Sequence, residues 1–181
     1  MENVAALAVA LAEASRPAFG EYAHRIVKNA GVLAGELKKK GFELIGGGSE
    51  NHMIWIDLSN KGIDGWEAAW ALEMGGIIAN RQTVPNEKKS AYYPSGLRLG
   101  TPAVTTRGMK EKEMKLIAEW IDKVISYMVQ AVGKKYPGIG NNDKPKDQAA
   151  RKKFKEEMPA DPLLMRIAGE VRSLCRKFPV P

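Results

Sequence analysis

The stretch that decides the fold runs from Asn80 to Gly108 and is NRQTVPNEKKSAYYPSGLRLGTPAVTTRG. It contains two predicted strands separated by a polar loop, and a single arginine, Arg98, within an otherwise apolar run. Because side chains alternate between the two faces of a strand, Leu97 and Leu99 point to the face opposite Arg98. The arginine is therefore predicted to face a different environment from the two leucines.

The glycines on either side favour a binding role for Arg98. Gly96 and Gly100 lie two residues away on the same face, and without side chains they are expected to leave open space beside the guanidinium. An arginine in such a slot suits a carboxylate or a phosphate, because its planar fork binds two oxygens at once. The alternative is a structural ion pair at the edge of a sheet, since motifs of this length often match by chance.

Outward from this stretch, the hydrophobic periodicity predicts helices alternating with short strands. Helices are expected over Val4–Ala14, Pro17–Lys40, Gly65–Met74, Lys110–Val132 and Asp161–Phe178, and strands over Phe42–Ile45, His52–Leu58, Ile77–Asn80 and Leu97–Thr105. Gly41 is expected to end the second helix, and Asp64 and Asp161 to cap the starts of two others. This order predicts an α+β fold, a small and mostly antiparallel sheet of three to four strands with helices on one face.

Two segments of the chain, the first helix and residues 133–160, are expected to lie in different environments. The first helix, Val4–Ala14, is apolar nearly all round, which favours burial against a further domain or subunit. It is not a signal peptide, since an acidic residue stands where a basic region should be. Residues 133–160 are polar, basic and rich in Pro and Gly, so we expect an exposed basic insertion with one short charged helix.

The composition of the chain limits the classes of protein to which it can belong. The chain has 181 residues, a net charge of +7 and 44% hydrophobic residues, as expected for one globular domain. No apolar run is long enough to span a bilayer. The single cysteine, Cys175, cannot form an internal disulfide, which favours a cytoplasmic location. Its expected role is that of a small core residue, and no metal-ligand cluster is evident. His52 is expected to be structural, holding a turn to its strand.

The net positive charge raises the alternative that the chain binds a nucleic acid. The basic residues are spread along the chain, many of them near acids on helix faces, and no aromatic RNA-binding signature occurs. Such charge usually marks a solvated surface, so we do not expect a nucleic acid as partner. A non-catalytic binding or regulatory module that uses this surface for RNA or for a protein partner stays open as the alternative function.

Several segments in the same order resemble serine hydroxymethyltransferase, a fold-type I pyridoxal-phosphate enzyme. They are GGGSENHMIWIDLSNKGIDGWEA, GGIIANRQTVPNE, SGLRLGTPAVTTRGM and RSLCRKFPVP, which together span most of the chain. The resemblance implies the small C-terminal domain of such an enzyme. It also implies transfer of a one-carbon unit between serine and tetrahydrofolate, giving glycine, with pyridoxal phosphate as the electron sink.

The resemblance also implies site residues. The position that matches the family's carboxylate-binding arginine is Arg98, which would hold the amino-acid substrate. Gln82 matches a folate-contacting amide with one methylene more, and Ser90-Ala91-Tyr92 matches a folate-side segment but lacks its proline. The matches would make the co-substrate tetrahydrofolate or a related pterin.

The family's cofactor lysine, with its Thr- and His-flanked motif, matches nothing in this sequence, so no catalytic or cofactor-binding residue is assigned to it. The implied organisation is a leading helix (residues 1–16) that joins a large domain, a small domain (17–132), the basic insertion (133–160) and a C-terminal helix (161–181). The large pyridoxal-phosphate domain would be supplied in cis or in trans, with at least a homodimer for the complete enzyme. The isolated chain is expected to be inactive, whether it is a C-terminal piece of the enzyme or a natural split subunit.

Overall fold

In a computed structural model, residues 2–140 and 144–180 are described and form seven α-helices and one four-stranded sheet. The helices are α1 (Glu2–Ala14), α2 (Pro17–Lys39), α3 (Gly65–Met74), α4 (Pro102–Thr106), α5 (Glu111–Lys135), α6 (Lys144–Glu157) and α7 (Pro162–Lys177). The strands are β1 (Glu43–Leu44), β2 (Met53–Asp57), β3 (Asn80–Gln82) and β4 (Gly96–Gly100). The expected α+β class is confirmed.

The sheet has the order β1-β2-β4-β3, and each neighbouring pair is antiparallel. Its inner face buries Ile54 and Ile56 of β2 against Leu97 of β4. Helices α2 and α3 pack against the sheet, α5 packs on both of them, and α7 packs on α3 and α5. The apolar face of α5 supplies much of this core through Met114, Ile121, Val124, Ile125 and Met128.

The predicted helix ends are confirmed where local chemistry determines them. Gly41 follows α2 with a φ of +76°, the left-handed conformation that a helix C-terminus favours in glycine. Asp64 accepts hydrogen bonds from the backbone N–H groups of Trp66 and Glu67, and the Glu67 carboxylate accepts from Asp64 N–H in return. This reciprocal capping box fixes the start of α3.

The first two strands are one residue shorter at each end than predicted, and the other two differ more from their predicted ranges. The third was expected over Ile77–Asn80 but spans Asn80–Gln82, because Ile77 N–H donates to the carbonyl oxygen of Leu72 and so belongs to the closing turn of α3. The fourth was expected over Leu97–Thr105 but ends at Gly100. Pro102 cannot donate to a sheet, and its fixed φ suits the first turn of a helix, so α4 begins there.

Most of the residues described within 133–140 and 144–160 are exposed, but one face of this segment is buried, which the expected exposed insertion did not foresee. Helix α6 is 14 residues long, and Arg151 and Phe154 on it are buried, as are Tyr136 and Met158 beside it. The polar composition concealed an inward-facing stripe, Asp147–Arg151–Phe154, at helical spacing.

Helix α1 has no buried residue among those described, and Val4, Leu7, Val9 and Leu11 are each more than half exposed. An apolar helix without cover is uncommon in a folded protein, so the expectation that another domain or subunit packs on α1 stays a prediction. None of the helices within residues 2–140 and 144–180 combines the length and apolar character needed to cross a membrane.

Candidate functional site

The outer face of the sheet carries Arg98 at its centre. Arg98 pairs directly with Trp55 of β2 on one side and with Asn80 of β3 on the other. Leu97 and Leu99 point inward and are buried, whereas Arg98 is exposed. The alternation predicted from the sequence is therefore confirmed, and it places the guanidinium on the side of the sheet away from the core.

The Arg98 side chain makes no hydrogen bond and no ion pair within the described part of the chain. It borders two open depressions, each bounded also by Asn80. One, of about 420 Å³, is lined by Trp66, Ala69, Trp70, Glu73, Ala79, Asn80, Arg81 and Arg98. The other, of about 440 Å³, is lined by His52, Met53, Ile78, Asn80, Arg98, Leu99 and Gly100. An unpaired guanidinium beside open space retains its full capacity to bind an anionic ligand with two oxygens.

The two glycines that flank Arg98 have different roles, which corrects the prediction that both leave space. A Cβ on Gly96 would lie 2.7 Å from the carbonyl oxygen of Ile56 and 2.7 Å from Cγ1 of Val84. Gly96 therefore permits a close approach of backbones. The nearest atom to a Cβ on Gly100 would be Pro102 Cδ at 3.6 Å, so only Gly100 borders open space.

The residues that the resemblance assigns to the folate side are only partly brought together. Gln82 pairs with Gly96 and lies on the same face as Arg98, half-buried at the end of β3. Ser90 and Ala91 are exposed in the loop between β3 and β4, and Ser90 Oγ accepts only a local hydrogen bond, from Tyr93 N–H. Within residues 2–140 and 144–180, no hydrogen bond or ion pair joins Ser90 or Ala91 to Arg98.

Tyr92 is linked to the β3 side of the site by a stacking contact. The Arg81 guanidinium lies 4.5 Å from the centre of the Tyr92 ring, and the ring is 56% exposed. Because Arg81 lines the same depression as Arg98, Tyr92 is adjacent to that depression although it is not one of its lining residues. The loop carrying Tyr92 is thus held near the polar face of the sheet.

Glu87 holds the base of this loop, a role that sequence analysis missed. Its carboxylate accepts hydrogen bonds from Ser95 N–H at 2.7 Å, Ser95 Oγ–H at 2.9 Å and Lys89 N–H at 3.0 Å. Burial raises the pKa of Glu87, but these hydrogen bonds outweigh it and hold the pKa below the ordinary value. No spacing rule marks Glu87 in the sequence, because its partners lie at irregular distances along the loop.

Within the described part of the chain, the side chains of His52 and Cys175 form no hydrogen bond or ion pair. The His52 side chain is exposed, and it is the His52 carbonyl oxygen that joins turn to strand by accepting from Thr101 N–H at 3.1 Å. Cys175 is half-buried against the core, as expected, and its carbonyl oxygen accepts from Arg107. Within residues 2–140 and 144–180, no group of three or more His, Cys, Asp or Glu side chains could hold a metal ion.

The residues around Arg98 do not form a complete site for a pyridoxal cofactor. That cofactor needs a lysine amine, and neither depression is lined by a lysine among the residues that the structure describes. The depressions offer two guanidinium groups, the amide of Asn80 and aromatic rings, beside the carboxylate of Glu73, and the guanidinium groups and rings suit a carboxylate and a flat ring system.

Comparison with known proteins identifies the family. The family profile described as serine hydroxymethyltransferase matches residues 1–121. The serine hydroxymethyltransferase of Acidothermus cellulolyticus is 45% identical over 179 residues, which cover 99% of this chain and 36% of that protein. The mitochondrial enzyme of Kluyveromyces lactis is 42% identical over 182 residues, covering 99% of this chain and 35% of its own length.

A third relative, from Methanospirillum hungatei, is 51% identical over 125 residues, which cover 69% of this chain and 30% of that serine hydroxymethyltransferase. The chain spans about a third of the length of these curated relatives. The family profile covers more than half of the chain and agrees with the fold and with the signature around Arg98. The chain belongs to the serine hydroxymethyltransferase family.

Proposed function

We propose that this chain forms the C-terminal part of a serine hydroxymethyltransferase, which transfers a one-carbon unit between serine and tetrahydrofolate and yields glycine. The observation that carries the proposal is the unpaired guanidinium of Arg98, exposed between two depressions on the polar face of the sheet. Pyridoxal phosphate, bound by a large N-terminal domain, would supply the electron sink. The apolar and exposed face of α1 supports docking of that domain, in cis or in trans.

In this proposal Arg98 holds the substrate carboxylate. Two parallel hydrogen bonds from the guanidinium fork to the two carboxylate oxygens fix both position and rotation of the amino acid, which a point charge cannot do. Fixing that rotation sets which bond at the α-carbon is presented for reaction. Gln82 and Tyr92, near the same face, would contact the pterin side, together with Ser90 and Ala91 from the loop.

The chain alone would not turn over serine, because it contributes orientation and not the cofactor lysine. At least a homodimer is proposed for the complete enzyme. A cytoplasmic location stays a prediction, and the Kluyveromyces relative is named as mitochondrial.

The test is substitution of Arg98 in the complete enzyme that carries this chain. Arg98→Lys keeps the charge but removes the fork, and Arg98→Ala removes both. We expect the KM for serine to rise roughly 10-fold or more for Arg98→Lys and further for Arg98→Ala, the scale of a lost charge-assisted hydrogen bond. The KM for tetrahydrofolate should change little. An unchanged KM for serine in both folded variants would overturn the assignment.

The surface of α6 gives little support to the alternative function, RNA binding. Its exposed Lys152 and Lys153 pair with Glu156 and Glu157 at 4.0 and 3.8 Å, which lowers the positive potential of that surface. Salt-sensitive RNA binding that survives Arg98→Ala, and falls when lysines between 144 and 155 are neutralised, would revive it.

A further inference from the structure

A buried arginine joins the segment 133–160 to the two elements that border the candidate site. Arg151 of α6 is 4% exposed. Its Nε donates to both carboxylate oxygens of Asp147 at 2.9 Å, and its Nη2 donates to Asp64 Oδ2 at 2.8 Å. Asp64 is the residue that caps α3, so Arg151 is fixed to the start of that helix by a charge-assisted bond.

The same guanidinium stacks on the loop between β3 and β4. Its central carbon lies 3.8 Å from the centre of the Tyr93 ring and 4.8 Å from that of Trp66. Nη1 of Arg151 is buried and has no hydrogen-bond partner among the described residues, so the aromatic rings are its principal neighbours. A desolvated arginine over an aromatic face is a stronger contact than an exposed one.

The contacts continue from Tyr93 to the depression that contains Arg98. The rings of Tyr93 and Tyr92 meet edge to face at 4.8 Å, and Arg81 stacks on Tyr92 at 4.5 Å. Arg81 lines that depression beside Arg98. A continuous series of packed side chains therefore leads from α6 to the polar face of the sheet.

Two further contacts of this segment face inward. The Phe154 ring lies 5.2 Å from that of Tyr136 and 5.6 Å from that of Trp66. Gly140 N–H donates to Asp147 Oδ1 at 2.7 Å, which ties the turn before α6 to the same carboxylate that Arg151 binds. This packing gives Arg151 a single position, as a positioning role requires.

We propose that Arg151 is a positioning residue for the pterin side of the site, acting through Tyr93 to set the location of Tyr92 and its loop. The proposal rests on the proposed function, because it assigns the Tyr92 loop to the tetrahydrofolate side. It gives the segment 133–160 a purpose, since α6 supplies Arg151 and its carboxylate partner. Arg98 lies on β4 and not on this loop, so we expect Arg151 to affect the serine side less than the pterin side.

The test compares variants of the complete enzyme. Tyr93→Leu removes the ring beneath Arg151 while leaving both of its carboxylate partners in place, and Tyr93→Phe, the matched control, keeps the ring. Arg151→Met removes the guanidinium but keeps much of the apolar stem. We expect Tyr93→Leu and Arg151→Met to raise the KM for tetrahydrofolate about 5- to 30-fold, the scale of a lost desolvated cation–π contact. The KM for serine should stay within about twofold, and Tyr93→Phe should resemble the wild type.

Comparing the KM for tetrahydrofolate with the KM for serine distinguishes a positioning role of Arg151 from a purely structural role. A merely structural role would lower the melting temperature and the yield of active enzyme without changing the KM for one substrate alone. Folded Tyr93→Leu with an unchanged KM for tetrahydrofolate, or an equal rise in both KM values, would overturn the Arg151 proposal and leave the proposed function standing. Absence of serine turnover by the wild-type complete enzyme would overturn both.

Discussion

Gly65 and Gly96 meet backbone to backbone: a Cβ on Gly65 would lie 2.1 Å from the carbonyl oxygen of Gly96. Gly65 is the first residue of α3, and Gly96 is the first residue of β4. Gly65 N–H also donates to the carbonyl oxygen of Pro94 at 2.7 Å. The start of α3 is therefore set directly on the strand that carries Arg98, with no side chain between them.

The space around each Cβ position predicts different outcomes for the two glycines beside Arg98: a loss of stability for Gly96→Ala and little change for Gly100→Ala. Gly96→Ala would place a methyl group against Ile56 O, Gln82 O and Val84, so we expect a loss of about 1–3 kcal/mol or more in the free energy of unfolding. Gly100→Ala is the matched control, because its Cβ would meet nothing closer than 3.6 Å. Urea unfolding followed by circular dichroism would measure both. Equal stability of the two variants would contradict the prediction.

The sequence was sufficient where strand alternation or a capping side chain determines the structure. The alternation of Leu97, Arg98 and Leu99 placed Arg98 on the outer face, and the acids Asp64 and Asp161 were correctly identified as helix caps. Each of these inferences needs only a period of two or a side chain that reaches two or three residues along the chain.

Contacts between distant residues could not be predicted in this way. Gly96 seemed to provide space, but Val84 and Ile56 fill it, and neither is adjacent to it in the sequence. Arg151 was hidden in the polar run RKKFKEE, and its burial depends on partners far away in the sequence, Asp64 and the rings of Trp66 and Tyr93. The positions of Ser90 and Ala91 relative to Arg98 depend likewise on the path of a loop that no periodicity describes.

Arg107 fastens the end of α7 to the rest of the domain. Its Nε donates to the Phe178 carbonyl oxygen and its Nη2 to that of Cys175, each at 2.7 Å. The Cys175 carbonyl oxygen accepts also from the N–H of Phe178, which caps the helix, at 3.2 Å, whereas the Phe178 carbonyl lies beyond the helix end, so Arg107→Met should cost about 2–4 kcal/mol of stability. Amide hydrogen exchange in the last turn of α7 should accelerate. Arg176→Met, which removes one charge from the same helix end, should cost less than about 1 kcal/mol.

Comparable acceleration of exchange in the Arg107 and Arg176 variants would contradict this prediction, because it would trace the effect to charge at the helix end. The measurement is best made by mass spectrometry on peptides covering residues 170–180.

Asp161 joins α7 to α5 in addition to capping α7. One carboxylate oxygen accepts from Leu163 N–H at 3.0 Å and Leu164 N–H at 3.3 Å, and the other accepts from the Tyr127 hydroxyl. Asp161→Ala should cost about 2–3 kcal/mol, since it removes the cap and the acceptor of the Tyr127 hydroxyl, which keeps the weaker hydrogen bond from Lys135 Nζ at 3.3 Å. Tyr127→Phe should cost about 1 kcal/mol, and Asp161→Asn, which keeps one acceptor oxygen for the cap but replaces the other with an NH2 group, should be intermediate. Thermal unfolding would rank the three, and equal losses for Asp161→Ala and Tyr127→Phe would show that the cap contributes nothing.

Glu67 should make the stability of the domain depend on pH. Burial raises the pKa of its carboxyl to about 7, and the neighbouring Asp64 carboxylate acts in the same direction. The hydrogen bond from Asp64 N–H and the charges of Arg151 and Lys89 oppose this shift without cancelling it. The ordinary value is 4.5, so between pH 4.5 and 7 the folded state binds more protons at Glu67 than the unfolded state does.

The free energy of unfolding should therefore fall as pH rises through that window, by at most about 1.4 kcal/mol per pH unit, and the contribution of Glu67 should become constant above pH 7. Glu67→Gln keeps an acceptor for Asp64 N–H but cannot ionise, so its stability should lack this slope and exceed that of the wild type above pH 7. Glu73→Gln, which neutralises an exposed carboxylate on the same helix, is the control. Urea unfolding at pH 5, 6, 7 and 8 gives the difference between each variant and the wild type, which removes contributions from other titrating groups. A difference for Glu67→Gln that does not grow with pH would mean that Glu67 is ionised in the folded domain throughout.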